Sequence, residues 1–212
     1  MYRRQALIAL LGLFCLVTGS DVEVTCGSAT KLRHVQSKYH LHSHGINWGS
    51  GSGQQSVTAH GSEDDQGGLW LVKEAEGALP CEAGEPIKCG SFVRLEHVLT
   101  GKNLHSHFFT SPLSRQQEVS CFGESGEGDT GDTWVVECTR SSDEAWVRGG
   151  QVRLKHKDTK RYLQASTGSK FNSGNCPNNC PILGQLEVSG IQTAGSTTTW
   201  TADQGMYLAS TS

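Results

Sequence analysis

Apolar positions recur at every second residue over short runs of this chain, and the runs themselves recur in threes. Lys31-Leu32-Arg33-His34-Val35, Val93-Arg94-Leu95-Glu96-His97-Val98 and Val152-Arg153-Leu154-Lys155-His156 are versions of one alternating segment. Period-two alternation puts successive side chains on opposite faces of a strand, and Gly-rich turns separate the runs. Nine residues after each leading leucine comes a second one, from Leu32 to Leu41, Leu95 to Leu104 and Leu154 to Leu163. It opens Leu41-His42-Ser43-His44, Leu104-His105-Ser106-His107 and the degenerate Leu163-Gln164-Ala165-Ser166. Each copy runs on through a tetrad (Gln54-Gln55-Ser56-Val57, Gln116-Gln117-Glu118-Val119, Gln185-Leu186-Glu187-Val188) to a tryptophan, Trp70, Trp134 or Trp200. Landmarks in the same order, with a period of about 60, mark an internal repeat. Four strands per copy and three copies predict an all-β fold, a β-trefoil with pseudo-threefold symmetry, which also leaves few open sheet edges.

One stretch does not alternate. Arg3 and Arg4 precede the unbroken apolar run Ala6 to Val17, and Thr18, Gly19 and Ser20 follow it. A charged start, an apolar middle and small residues predict a secretory signal peptide over 1–20. The run is shorter than the roughly 20 residues a membrane-spanning helix needs. The domain is then 21–212, with repeats at about 24–82, 87–140 and 148–208.

Composition narrows the function. The formal net charge is −3, with 18 Lys+Arg against 21 Asp+Glu and no basic block. A nucleic-acid binder needs a positive face to displace counterions, so that class is set aside.

A secreted chain makes its cysteines candidates for disulfides. Cys26 opens copy one and Cys81 lies near its end; Cys89 opens copy two and Cys138 ends it. Equivalent positions take equivalent partners, which predicts Cys26–Cys81 and Cys89–Cys138. Copy three has instead a local pair, Cys176 and Cys180, in an inserted loop, and Cys121 stays alone.

His34, His97 and His156 follow a core leucine by two and are expected to be buried and hydrogen-bonded. His42, His44, His105 and His107 alternate on their strands and are read as a structural motif. A His-x-His pair can ligate zinc, but neither a third ligand nor a second shell is visible, so no metal is assigned. The acidic groups Glu63-Asp64-Asp65 and Glu124, Glu127, Asp129 and Asp132 read as solvated loops. No Gly-x-Ser-x-Gly elbow, His-Glu-x-x-His, phosphate loop or dinucleotide fingerprint occurs, so no catalytic or cofactor-binding residue is assigned and a non-enzyme is expected. Candidate binding loops carry Trp48 in copy one and Phe108 and Phe109 in copy two, aromatics suited to sugar rings or apolar side chains.

The Leu-His-Ser-His motifs, Gly51-Ser52-Gly53-Gln54-Gln55, Pro86-Ile87-Lys88-Cys89-Gly90, Thr110-Ser111-Pro112-Leu113-Ser114 and Gly126-Glu127-Gly128-Asp129 closely resemble the stromal cell-derived factor 2 family. The resemblance runs from about Val24 to Trp200. It implies three MIR repeats in a β-trefoil and a place in the endoplasmic-reticulum lumen. It further implies work in protein quality control with Hsp70-type chaperones, J-domain co-chaperones and unfolded clients, and a link to the unfolded-protein response. The alternative is a lectin-like module that binds mannose-type glycans or assists O-mannosylation. The family's His-Asp-Glu-Leu type retention signal is replaced by Ala209-Ser210-Thr211-Ser212, which adds secretion as a second expected destination.

Overall fold

Twelve strands in the computed structural model, which describes residues 22–176 and 179–210, join one antiparallel sheet that closes on itself. The expected signal peptide lies outside these residues. Repeat 1 contributes β1 (Ala29–His34), β2 (His40–Asn47), β3 (Gln55–His60) and β4 (Leu69–Glu74). Repeat 2 contributes β5 (Phe92–His97), β6 (Lys102–Thr110), β7 (Gln117–Phe122) and β8 (Trp134–Cys138). Repeat 3 contributes β9 (Gln151–His156), β10 (Tyr162–Lys170), β11 (Leu186–Ile191) and β12 (Trp200–Met206). A 3-10 turn precedes the fourth strand of each repeat, at Gln66–Gly68, Thr130–Asp132 and Ser196–Thr198.

First and fourth strands form a ring in the order β1, β4, β5, β8, β9, β12, and β12 pairs back to β1. Second and third strands form hairpins, and β3, β7 and β11 pair with one another in a triangle. The alternation read from the sequence fills this interior in layers. Leu32, Leu95 and Leu154, then Leu41, Leu104 and Leu163, then Val57, Val119 and Val188 are all inaccessible to water, as are Trp70, Trp134 and Trp200. Burial of each such aliphatic side chain contributes about 1.5–3 kcal/mol.

The repeats are joined by one cross-strand pair used three times. Trp70 lies opposite His97, Trp134 opposite His156 and Trp200 opposite His34, each between neighbouring repeats. In each pair the ring centroids are 5.0 Å apart. The indole N–H groups donate to the carbonyls of Leu41, Leu104 and Leu163 at 2.8–3.0 Å.

Disulfides join Cys26 to Cys81, Cys89 to Cys138 and Cys176 to Cys180. Cys121 is a free, buried thiol, and burial pushes its pKa up to about 12. It is a packing residue, not a nucleophile.

Candidate functional site

A hydrogen-bonded polar cluster recurs where the second strand of each repeat meets the 3-10 turn of its own repeat. In repeat 1, His42 Nδ1 sits 2.8 Å from Asp65 Oδ1, and the same oxygen accepts from the Gly67 N–H at 2.8 Å. In repeat 2, His105 Nδ1 sits 2.9 Å from Asp132 Oδ1 and 3.5 Å from Asp129 Oδ1. Asp129 accepts from the Gly131 N–H, and Asp132 Oδ2 accepts from the Asp129 N–H and from Asn103 Nδ2. Repeat 3 places Gln164 at this point, and Thr197 donates its hydroxyl to Gln164 Oε1 at 3.1 Å.

Backbone approach explains the glycines of the turn. A Cβ on Gly67 would stand 2.6 Å from His42 Cε1, and one on Gly131 would stand 2.9 Å from His105 Nδ1. Both contacts are shorter than van der Waals separation, so the imidazole excludes a side chain there. Gln164 follows a different path and the equivalent turn carries Thr197. Histidine goes with glycine, and glutamine with threonine.

His42 is depressed to about 4 by burial, which outweighs the pull of Asp65, and His44 is shifted down for the same reason. His34, His97 and His156 are buried as expected. Their Nε2–H groups donate to the carbonyls of Thr197, Gly67 and Gly131, while Nδ1 accepts from the hydroxyls of Ser37, Thr100 and Thr159. Desolvation holds all three below the usual histidine value.

Three expectations need correction. Trp48 does not belong to an open binding loop: it is buried against Phe171 and Ile182, and its indole donates to the Val119 carbonyl at 3.0 Å. Phe171, Ile182, Cys176 and Cys180 bring repeat 3 side chains onto this repeat 1 tryptophan. Asp132 is not solvated: it has no exposed surface and is wrapped in donors. Asp65, half-buried, likewise caps its turn instead of standing free, whereas Asp129 caps its turn and stays exposed, as expected.

Phe108 and Phe109 do face solvent, at 88% and 48% exposure. The backbone beyond them is pinned from repeat 3, where buried Glu187 accepts from the N–H groups of Leu113 and Ser114 at 2.6 and 2.9 Å. The Phe109 ring rests on His107, 4.7 Å between centroids. Phe108 stands between two shallow clefts. One, of about 270 Å³, contains His105, His107 and Asp129; the other, of about 200 Å³, contains Arg115 and Arg161. Glu118 and Glu187 lie in the recurring Gln-x-x-Val tetrad, but nothing in that tetrad marks the contact each of them makes. Asp65 and Asp129 carry a signal, five residues before a repeat tryptophan, but only alongside the histidine each one serves.

The MIR domain family matches residues 50–146. The stromal cell-derived factor 2-like protein of Dictyostelium discoideum is 48% identical over 87% of this chain and 84% of its own. The chain belongs to the stromal cell-derived factor 2 family. Among solved structures, that of the SDF2-like protein from Arabidopsis thaliana matches this family member with a TM-score of 0.82 and 40% identity, covering 90% of this chain and all of that one. The protein O-mannosyltransferase Pmt1-Pmt2 complex of S. cerevisiae, bound to its sugar donor, contains a similar unit. There the TM-score is 0.75 and the identity 30%, over 88% of this chain and 26% of the larger one. Three disulfides fit a secretory-pathway member of the family. Among the described residues no helix is long and apolar enough to cross a membrane.

Proposed function

We propose that this chain is a non-enzymatic accessory factor of protein quality control in the endoplasmic-reticulum lumen. It is a β-trefoil of three MIR repeats, delivered by its signal peptide, that engages an Hsp70-type chaperone, its J-domain co-chaperone and unfolded clients. Membership of the stromal cell-derived factor 2 family over most of the chain carries this reading. The surface supplies a physical route. Phe108 and Phe109 offer apolar area on a scaffold pinned by Glu187, with Arg115 and Arg161 beside them. Rigid display spares the ordering entropy a flexible loop would lose on binding an extended apolar segment. The test is light scattering of a denatured client in the presence of a lumenal J-domain protein, beside a glycan array. Suppressed aggregation with no selective glycan binding supports the reading. Selective capture of mannose-type glycans with no effect on aggregation replaces it by the lectin-like alternative.

A further inference from the structure

The outer nitrogens of the two His-x-His pairs are all committed, and this fixes what the inner ones can do. In repeat 2, His105 Nδ1 faces Asp132 at 2.9 Å and His107 Nε2 faces Glu118 Oε1 at 3.1 Å. Both carboxylates are fully buried, and their other neighbours are donors: the Asp129 N–H and the Asn103 amide at Asp132 Oδ2, and the Ser52 hydroxyl and N–H at Glu118 Oε1 and Oε2. They therefore accept, so His105 carries its proton on Nδ1 and His107 on Nε2. A neutral imidazole has one N–H. His105 Nε2 and His107 Nδ1 are left bare, on rings that meet edge to face at 4.9 Å.

Repeat 1 repeats the arrangement with different partners. Asp65 fixes the proton of His42 on Nδ1. The Ser56 hydroxyl donates its only proton to the Ile46 carbonyl at 2.8 Å, so its oxygen accepts from His44 Nε2 at 3.3 Å. With that proton placement His42 Nε2 and His44 Nδ1 lie 3.3 Å apart with no hydrogen between them, whereas a proton on His44 Nδ1 would make the same contact a hydrogen bond. Two lone pairs repel unless a cation lies between them. Two nitrogens bound to one tetrahedral zinc at about 2.0–2.1 Å are themselves about 3.3–3.4 Å apart. Asp65 and Asp132 stand where an outer carboxylate orients a metal-bound imidazole.

We propose that each pair binds one divalent transition-metal ion of the zinc type. The ligands are His42 Nε2 with His44 Nδ1 in repeat 1, and His105 Nε2 with His107 Nδ1 in repeat 2, with water completing each shell. Repeat 3, with Gln164 and Ser166, has no such site. His44 and His107 are only partly buried, and the cleft beside Phe108 opens the repeat 2 pair to solvent. Two protein ligands make an exchangeable site, distinct from the closed four-ligand sites that hold folds together. The inference stands independently of the chaperone reading.

The experiment is calorimetric titration of the oxidised chain, purified without a polyhistidine tag, with zinc chloride and, in parallel, magnesium chloride. Zinc binds saturably at two sites per chain and magnesium does not. His44→Gln and His107→Gln each remove one site, and the double variant, its folding checked by cooperative melting without metal, removes both. Long-range nitrogen–proton spectra of the metal-free imidazoles check the premise separately: Nδ1–H for His42 and His105, Nε2–H for His44 and His107. Absence of saturable zinc uptake, uptake that survives in the double variant, or an Nδ1–H tautomer at His44 and His107 overturns the proposal.

Discussion

His34 packs against Trp200 with 5.0 Å between ring centroids and the rings inclined by 55°, so the first strand of the domain is locked to the last. The same joint occurs at His97 on Trp70 and at His156 on Trp134. In each, the indole N–H also closes a hydrogen bond to the second strand of its own repeat. Trp→Phe at position 70, 134 or 200 keeps most of the ring and leaves a buried carbonyl without its donor. Each is expected to lower stability by about 1–3 kcal/mol, and the three values should agree closely. Urea unfolding measures this; a cost confined to one position would show that the joints are not equivalent.

The Gly131–His105 contact predicts a coupled pair. Gly131→Thr alone presses a side chain into the His105 ring and should cost about 1–3 kcal/mol. Combined with His105→Gln it recreates the Thr197–Gln164 pair of repeat 3, and part of the loss should return. A double-mutant cycle reads the coupling directly, and strict additivity would refute it.

The buried histidines make the fold sensitive to acid. Desolvation holds His34, His97 and His156 below their unfolded value of about 6.5, so the unfolded chain takes up more protons as pH falls. Stability is therefore constant above that value and declines as pH drops through it towards the folded values. Melting temperature between pH 8 and pH 5, in steps of about half a unit, is expected to fall on the acid side. His97→Gln should flatten part of the decline.

The disulfides differ in what they constrain. Cys26–Cys81 and Cys89–Cys138 close loops with sequence separations of 55 and 49, against 4 for Cys176–Cys180. Loop-closure entropy assigns about 4 kcal/mol to each long loop and about 2 kcal/mol to the short one. Paired Cys→Ser variants in chemical denaturation should follow that order.

The threefold repeat makes much of this fold legible in the sequence. Leucines nine apart set the strands, and equivalence between copies paired Cys26 with Cys81 and Cys89 with Cys138. Burial of His34, His97 and His156 followed from their phase after a core leucine. What escaped depends on contacts between copies. Trp48 is covered by Phe171 and Ile182, more than 120 residues away, and nothing local marks it as buried. Asp132 looks like one more acid in a glycine-rich loop until the turn brings it onto His105. Glu118 and Glu187 fill one repeat position and reach into the hairpin loop of the preceding repeat, a contact that single-copy patterns do not encode.

The exposed pair Phe108 and Phe109 offers the most direct measurement of the proposed role. Replacing both with Ser removes apolar surface without entering the core, so the melting temperature should stay within about 1 °C of the parent. Light scattering of a denatured client, with a lumenal J-domain protein present, should then show suppression by the parent chain and its loss in the Phe108→Ser, Phe109→Ser variant. Equal suppression by the two proteins would take the aromatic pair out of the account, and no suppression by either would contradict the quality-control function itself.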